Sequence, residues 1–510
     1  MKSSLLAIVV VVLTILGARQ SVLALDGEPY IHDPSTITQC EGKFYTFGTG
    51  GGGLISDDGW TWRSGAVRPG GGAAPDVIKI GDRYLVAYGA TGGGLGGGHN
   101  GRILTMWNQT LDPQSPDFKY SEAVVVASSD GHEDCDAIDP SLLLDPTDGR
   151  LWLTYGTYFG FIRVVELDPR TGKRVEGNQA VNIAIDCEAT ALMYRDGWYY
   201  LLGTHGTCCD GPNSTYNIRV GRSRKVSGPY LDNLGLDMLR GGGKLVVAAN
   251  GRYVGPGHFG LLDLGDGVQK FSCHYEADLE RSGRSVLDVR ALLWKDGWPV
   301  AGANFTGGTF QILSQRKGYA LELAVDFVRM AGRVPRGMSP GGTNAPGAAS
   351  RGTNAPGGPG GFGMGRNFSG PVTNIPLSTL EQVSTNWPAG NIEVRLGDYM
   401  LRPHQKWTIT PVAGAGGYPG SPYFKITLAG TDRALAATAE AELVTVPAFT
   451  GAPEQLWRID QLTDGTYRIQ PKVVPNSSDA LALTAVGGST PTLAKFDPQS
   501  DKARWTFELP

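Results

Sequence analysis

The length, composition and charge of this chain of 510 residues narrow its possible classes. The length allows two or three domains, and 45 basic against 49 acidic residues give a formal net charge of −4, which argues against a nucleic acid as its partner. The 74 glycines leave little room for long helices, so we expect an all-β protein.

Residues 1–24 have the features of a secretory signal peptide. Met1-Lys2 precede an apolar run from Leu5 to Leu16, and Val22-Leu23-Ala24 places small residues where cleavage would occur. The run is shorter than the ~20 apolar residues that a membrane-spanning helix needs. We therefore expect no membrane span and a mature protein, secreted to the extracellular space or periplasm, that starts near Leu25.

Six cysteines lie in the first part of the chain: Cys40, Cys135, Cys187, Cys208, Cys209 and Cys273. Export permits disulfides, but six cysteines allow many pairings, among which the sequence does not choose. No pair of Cys-x-x-Cys elements is present, and the adjacent Cys208-Cys209 is poor geometry for one zinc ion. We expect the cysteines to be structural.

Five similar units follow one another between residues 28 and 305. In each unit a turn glycine precedes an aromatic-rich strand; these glycines are Gly42, Gly81, Gly149, Gly197 and Gly267. Upstream of each turn, an apolar strand begins with an ionisable residue; these are Asp33, Asp76, Asp139, Glu188 and His258. A β-propeller accounts for this shared phase, because the innermost strands of its blades line one channel and their first residues converge there. A β-sandwich with scattered turn aspartates is the alternative fold.

Converging carboxylates indicate catalysis. Like charges a few Å apart raise each other's proton affinity, and a purely structural protein has little reason to bring them together. The chain has no nucleophilic Ser or Cys signature and no Gly-rich phosphate loop. A secreted protein with paired carboxylates fits an acid and a base that act on a glycosidic bond.

Several short motifs occur in a specific order: His32-Asp33-Pro34-Ser35, Ala137-Ile138-Asp139-Pro140-Ser141, Gly206-Thr207-Cys208-Cys209, Ser214-Thr215-Tyr216 and Gly255-Pro256-Gly257-His258. In this order they resemble the family 43 glycoside hydrolases, and within that family the endo-1,5-α-L-arabinanases. The resemblance covers about residues 28–305. It implies a five-bladed β-propeller that hydrolyses glycosides with inversion at the anomeric carbon.

The resemblance also implies roles for three carboxylates. Asp33 matches the general base that draws a proton from the attacking water. Glu188 matches the general acid, which must be protonated before the reaction. Asp139 matches a third carboxylate that orients the acid and raises its proton affinity.

Three further residues are candidates at the site. His258 resembles the histidine that, in arabinanases, reaches toward a channel calcium through a largely water-filled shell, although a hydrogen-bonded core histidine is an equal alternative because calcium prefers oxygen ligands. Phe159 is a candidate for stacking on a sugar or for core packing. Arg290 is a candidate for holding a sugar hydroxyl or a carboxylate, or for a plain salt bridge. No organic cofactor is implied.

A segment rich in glycine and proline, residues 331–370, divides the chain. The sequence Gly-Thr-Asn-Ala-Pro-Gly occurs in it twice, at 342–347 and 352–357, and this composition predicts a mobile linker. The expected domains are therefore a propeller over residues 25–330 and a C-terminal β domain over residues 371–510.

Three tryptophans recur in the C-terminal domain: Trp407, Trp457 and Trp505. Their surroundings weakly resemble the Gln-x-Trp repeat of ricin-type β-trefoils, although Ala503 replaces the third glutamine. A small β-barrel is the alternative. Such a domain would hold polysaccharide near the active site and raise its effective concentration, or would stabilise the enzyme.

The sequence thus predicts a secreted inverting glycosidase that cleaves α-1,5-linked L-arabinan in plant cell walls, with endo action favoured over exo. One alternative is an exo-acting α-L-arabinofuranosidase or β-xylosidase acting on a related pentosan. The other is a non-catalytic propeller that binds carbohydrate.

Overall fold

Strands make up nearly all the regular structure of the chain. The computed structural model describes residues 24–91, 100–315, 318–324, 387–486 and 490–510. The helices of this part are five short 3-10 turns: Gly211–Asn213, Met238–Arg240, Leu279–Arg281, Pro403–Gln405 and Pro453–Gln455. None of its helices is long and apolar enough to cross a membrane. The expected signal peptide lies almost wholly outside the described residues.

Residues 26–301 form a five-bladed β-propeller, as the sequence predicted. Blade I contains β1 (Asp26–Gly27), β2 (Thr38–Cys40), β3 (Lys43–Phe47), β4 (Gly52–Ser56) and β5 (Thr61–Val67); blade II contains β6 (Ala73–Ile80), β7 (Arg83–Thr91), β8 (Gly101–Asn108) and β9 (Val124–Ser128). Blade III contains β10 (Ser141–Leu144), β11 (Leu151–Tyr155), β12 (Phe161–Leu167) and β13 (Val181–Ile185); blade IV contains β14 (Glu188–Arg195), β15 (Trp198–His205), β16 (Asn217–Ser223) and β17 (Lys244–Val247). Blade V contains β18 (Tyr253–Asp263), β19 (Gln269–Asp278), β20 (Arg284–Lys295) and β21 (Trp298–Ala301). Each blade has four consecutive antiparallel strands, and β1 adds to blade I parallel to β5.

The glycine turns form tight hairpins within the blades. Asp196 and Gly197 both have positive φ, 51° and 78°, and they connect the paired residues Arg195 and Trp198. Two central residues with φ > 0 define the type I′ turn, whose twist matches that of the flanking strands. The turn glycines of the sequence pattern therefore mark the connection from the first to the second strand of a blade.

Each blade has a residue in the left-handed region before or near the start of its inner strand or, in blade V, at the irregularity within β18: Asp33, Ala74, Asp139, Ala189 and His258, with φ between 42° and 61°. Such a conformation is strained for a residue other than glycine, and it persists where the surrounding structure enforces it. Register shifts at the same place in β6, β14 and β18 bend these strands and change the direction in which their side chains point. The sequence predicted that five ionisable residues occupy equivalent positions. Asp33, Asp139 and His258 are themselves the residues with positive φ, whereas Glu188 lies one residue before Ala189 and Asp76 lies two residues after Ala74.

Asp76 ties three inner strands together instead of joining the catalytic carboxylates. Its Oδ1 accepts a hydrogen bond from the Thr36 backbone N–H at 3.1 Å, and its Oδ2 accepts one from the Leu142 N–H at 2.8 Å. Burial raises the pKa of the carboxyl. Blades I, II and III are therefore joined at the channel by one buried side chain.

Apolar side chains fill the spaces between blades. Blades IV and V, for example, share a cluster that includes Met193, Tyr200, Phe259 and Phe271. Four cysteines, Cys40, Cys135, Cys187 and Cys273, are free, buried and packed in such clusters. They act as small apolar residues, which agrees with the expected structural role.

The C-terminal domain is a β-trefoil. Its barrel closes through six strands paired in a ring: β22 (Gly308–Ser314), β25 (Lys406–Pro411), β28 (Phe424–Leu428), β31 (Trp457–Gln461), β32 (Tyr467–Pro471) and β35 (Trp505–Glu508). Three hairpins accompany it: β23 (Tyr319–Leu323) with β24 (Ile392–Asp398), β29 (Ala434–Ala437) with β30 (Leu443–Val446), and β33 (Leu481–Val486) with β34 (Thr490–Lys495). A two-residue pair, β26 (Gly417–Tyr418) and β27 (Ser421–Pro422), extends one loop.

The recurring tryptophans mark the threefold repeat of the trefoil. All three are fully buried. The indole N–H of Trp407, Trp457 and Trp505 donates to the carbonyls of Leu321, Leu435 and Leu483 at 2.9, 3.1 and 2.8 Å, respectively. Each tryptophan thus ties the last strand of a repeat to the hairpin of the same repeat, and the prediction of a trefoil is confirmed.

The boundary between the domains differs from the sequence prediction. We expected the propeller to reach residue 330, but β22 and β23 belong to the trefoil sheet. The predicted linker, residues 331–370, lies outside the described residues. The strands on either side of it, β23 and β24, pair with each other. The strands that flank the predicted linker therefore belong to the first repeat of the trefoil, because composition marks a segment rich in glycine and proline but not the strands that it connects.

The trefoil packs on the face of the propeller opposite the strand ends that carry Asp33 and Asp139. The Gly417 backbone N–H donates to Asp58 Oδ2 at 2.8 Å, and the Thr463 N–H donates to the Gly267 carbonyl at 2.9 Å. The strands of a blade run alternately away from the channel opening and back toward it. Asp58 lies in the turn after the third strand from that opening (β4), and Gly267 lies in the turn after the first (β18), so both turns are on the opposite face. The trefoil is therefore fixed to the far ends of blades I and V.

Replacing Asp76 by Ala should destabilise the protein, because two buried N–H groups lose their acceptor. We expect a loss of about 2–4 kcal/mol, from ~1–2 kcal/mol for each unsatisfied group. Calorimetric unfolding measures the effect, with the exposed Asp82→Ala as the matched control. An unchanged Tm for Asp76→Ala would show that the three strands do not depend on this carboxylate.

Candidate active site

Asp33, Asp139 and Glu188 lie in one electrostatic cluster at the opening of the propeller channel. They begin or precede the inner strands of blades I, III and IV. Burial raises the pKa of Asp139 well above its usual range, and the nearby charges of Glu188 and Asp33 add to this effect. The structure thus brings together the three carboxylates that were predicted from separate units.

The Asp33 carboxylate is held in its ionised form. Its Oδ2 accepts hydrogen bonds from Thr49 Oγ1 at 2.7 Å and from His32 Nδ1 at 2.9 Å, and its Oδ1 lies 3.7 Å from His258 Nδ1. Burial alone would raise the pKa of Asp33, but the contacts with His258 and His32 outweigh burial and hold that pKa well below its usual range. An ionised carboxylate is what a general base requires.

His274 and Glu276 of blade V hold Asp33 and its neighbour His32 in place, and the sequence did not identify these two residues. His32 Nε2 lies 3.1 Å from Glu276 Oε1, and His274 Nδ1 accepts a hydrogen bond from the Asp33 backbone N–H at 3.2 Å. Although burial lowers it, hydrogen bonds to Asp33 and Glu276 raise the pKa of His32 to about 10. His274 and Glu276 are two residues apart in β19 and so share a face, which is the only sequence signal that pointed to them.

Glu188 has the opposite electrostatic setting. The Tyr216 hydroxyl donates to Oε1, and Thr157 Oγ1 donates to Oε2 at 3.0 Å. These bonds favour the charged form, but burial outweighs them and the negative charge of Asp33 adds to it, so the pKa of Glu188 is raised. A carboxyl that keeps its proton to higher pH suits a general acid.

Asp139 connects the acid to the rest of the cluster. Its Oδ2 accepts a hydrogen bond at 3.2 Å from the backbone N–H of Ala189, the residue after Glu188. This bond fixes the bulge that presents the Glu188 side chain. Asp139 is therefore placed to orient the Glu188 side chain.

His258 lies where the sequence placed it, in the channel beside Asp33. Its backbone N–H donates to Thr204 Oγ1 at 3.0 Å, and its buried Nδ1 has no hydrogen-bond partner. Among the described residues, His258 belongs to no group of three ligand atoms that would hold a metal ion. The free nitrogen fits a calcium ion only if water supplies most of the ligand shell.

Phe159 and Arg290 occupy different settings. Phe159 is 60% exposed and stacks on Tyr158 with ring centroids 5.7 Å apart, so it is not a core residue. The Arg290 guanidinium donates to the Gly302 carbonyl at 2.7 and 2.9 Å and to the Tyr275 hydroxyl at 3.2 Å. Each of its three side-chain nitrogen atoms thus donates a hydrogen bond within the propeller, and the contact of Arg290 with substrate stays a prediction.

A disulfide between the neighbours Cys208 and Cys209 lies at the same opening. The Cys209 backbone N–H donates to Glu276 Oε1 at 3.2 Å. A ring nitrogen of His32 and the two sulfur atoms lie within 4.8 Å of one another. The pairing joins the only two cysteines of the described chain that are not buried in its core.

Comparisons with known proteins identify the family of each domain. The model of the family "Glycosyl hydrolases family 43" matches residues 46–299, and that of "Ricin-type beta-trefoil lectin domain-like" matches residues 403–507. The chain is 30% identical to the extracellular exo-alpha-(1->5)-L-arabinofuranosidase ArbA of Cellvibrio japonicus over 53% of this chain and 85% of that protein. It is 33% identical to the extracellular endo-alpha-(1->5)-L-arabinanase 1 of Bacillus subtilis over 44% of this chain and 67% of that protein.

One solved structure is similar over the propeller. The exo-1,5-alpha-L-arabinanase from a bovine ruminal metagenomic library is 32% identical, covers 55% of this chain and 99% of its own, and superposes with a TM-score of 0.50. The chain belongs to glycosyl hydrolase family 43 and is a glycoside hydrolase with a C-terminal β-trefoil of the ricin type.

Proposed function

We propose that this protein is a secreted hydrolase that cleaves α-1,5-linked L-arabinan by inversion, with endo action. The observation that carries the proposal is the opposite electrostatic setting of two carboxyl groups in one cluster: a low pKa for Asp33 and a raised pKa for Glu188. The names of the relatives support the choice of arabinan, and those of the two curated relatives support secretion.

In the proposed mechanism, a water molecule attacks the anomeric carbon through its oxygen. Asp33 accepts a proton from this water molecule during the attack. Glu188 donates its proton to the glycosidic oxygen while the bond from that oxygen to the anomeric carbon breaks. Attack on the face opposite the leaving sugar inverts the configuration. Burial and the charge of Asp33 keep Glu188 protonated, Asp139 holds the backbone beside Glu188, and His32 holds the Asp33 carboxylate in place.

Endo action requires that a polymer lie across the channel opening. The similar proteins carry both names, an endo-arabinanase and two exo-acting enzymes. The exposed ring of Phe159 is proposed to contact a sugar beside the carboxylates. The trefoil is proposed to bind polysaccharide at a distance from the carboxylates, because it packs on the opposite face of the propeller.

Product analysis tests the substrate and the mode of action. Chromatography of digests of linear arabinan should show mixed oligosaccharides at early times, and xylan should remain intact. Asp33→Ala and Glu188→Ala should each lower the rate by ~10²–10⁴-fold, whereas the exposed Asp82→Ala should not.

If monosaccharide is the only product, the enzyme has exo action and the proposal of endo action is wrong. Release of xylose from xylan would move the enzyme to the β-xylosidases. Unchanged hydrolysis in both carboxylate variants would overturn the assigned roles.

The activity should have a bell-shaped dependence on pH. Activity falls on the acid side as Asp33 gains a proton, at a pH below the usual carboxyl range, and on the alkaline side as Glu188 loses its proton, at a pH above that range. Tyr216→Phe removes a donor that favours ionised Glu188, so the alkaline limb of kcat/KM should move to higher pH. Tyr120→Phe, whose hydroxyl donates to the Val67 carbonyl in the propeller, is the control. An alkaline limb that moves down would contradict the assignment of Glu188 as the acid.

We also propose that a calcium ion binds in the channel through His258 Nδ1 and water. Such an ion would supply positive charge beside Asp33. Dialysis against a chelator should lower the Tm and the activity, and added calcium should restore both, whereas His258→Ala should no longer respond. Full activity and an unchanged Tm after exhaustive chelation would remove this proposal.

A further inference from the structure

The loop over residues 206–216 is a rigid bridge across the catalytic opening. Thr207 and Thr215 hold each other, because each backbone N–H donates to the other residue's Oγ1 at 3.0 Å. Ser214 Oγ donates to the Thr207 carbonyl at 2.7 Å, and the Tyr158 hydroxyl donates to the Gly206 carbonyl. The loop is therefore fixed at its base and along one side.

The loop is tied to Glu188 directly, at its last residue, and to Asp33 indirectly, through Cys209. Tyr216 donates to Glu188, and Cys209 donates to Glu276, which in turn binds the His32 that holds Asp33. The Cys208–Cys209 disulfide thus lies beside the base, on the open side of the cluster. Cys209 is exposed and Cys208 is half-buried, and both sulfur atoms lie within 4.8 Å of a ring nitrogen of His32.

Stability does not account for this disulfide. A disulfide stabilises mainly by closing a loop in the unfolded chain, and this one joins adjacent residues. It fills no core, unlike the four buried thiols. What it offers is a rigid, apolar and polarisable surface, of the kind that packs against the carbon-bound hydrogens of a sugar ring.

We propose that the Cys208–Cys209 disulfide is a sugar-binding surface, which contacts the apolar face of a pentose ring next to Asp33. This inference rests on the proposed function. It assigns to the double cysteine a role in substrate affinity and leaves proton transfer to the carboxylates.

The redox state is the first measurement. Thiol titration of the denatured, unreduced protein should detect four thiols, those of Cys40, Cys135, Cys187 and Cys273. After reduction it should detect all six cysteines. Six thiols without reduction would overturn the proposal.

The second measurement is affinity in the inactive Glu188→Gln background, with arabinohexaose as the probe in calorimetric titration. Replacing both Cys208 and Cys209 by Ser should weaken binding by about tenfold, which corresponds to the loss of ~1.4 kcal/mol. Asp210→Asn, an exposed change beside the disulfide, should leave the affinity unchanged. In the active enzyme the serine pair should raise KM more than it lowers kcat, whereas a merely structural loss would lower kcat and the Tm together.

A reversible treatment covers the case in which the serine variant does not fold. Mild reduction of the folded protein by a phosphine should weaken binding of arabinohexaose to the same extent, and reoxidation should restore it. Equal affinity in oxidised and reduced protein would overturn the proposal. No binding of arabinohexaose by the Glu188→Gln parent, with its disulfide intact, would instead overturn the assignment of arabinan as substrate and the pentose contact with it.

Discussion

The closure of the propeller ring between blades V and I is the constraint on which the site depends. The N-terminal strand β1 adds to blade I and not to blade V, so no shared sheet joins the last blade to the first. Short contacts close the ring instead. The Leu287 N–H donates to the Pro29 carbonyl at 2.7 Å, and Ser285 Oγ donates to the Ile31 carbonyl at 2.7 Å. Asp33 follows directly, with its own N–H bound to His274, so the proposed base is built into the seam.

The contacts between blades V and I also explain why the pKa of Asp33 is lowered whereas that of Glu188 is raised. The Asp33 carboxylate accepts hydrogen bonds from Thr49 and His32 of blade I and lies 3.7 Å from His258 of blade V. Glu188 lies one blade beyond Asp139 and is flanked by hydroxyl groups and by another carboxyl. Burial pushes both groups toward the neutral form. Only Asp33 has histidine partners that outweigh it. The acid and the base are therefore distinguished by their neighbours and not by residue type.

Local pattern predicted much of the fold and the carboxylates of the site. The turn glycines and the phase of Asp33, Asp139 and His258 follow from repetition, and the tryptophan spacing follows from the trefoil repeat. Contacts between distant residues were not predictable: His32 and Glu276 are 244 residues apart. The hydrogen bonds of Arg290 to the Gly302 carbonyl and the Tyr275 hydroxyl were not predictable either, because the sequence does not show which acceptors lie near a guanidinium. The trefoil boundary was misplaced because an insertion separates β23 from its partner.

The segment between β23 and β24 does not connect the propeller to the trefoil. Because β23 and β24 pair across it, the segment joins two strands of one hairpin and does not span the gap between catalytic and lectin-like modules. Its length therefore sets no distance between them. A protease that cut the chain there would leave β23 and β24 paired in the same sheet, so the nicked molecule would migrate as one particle until denaturant separated the pieces.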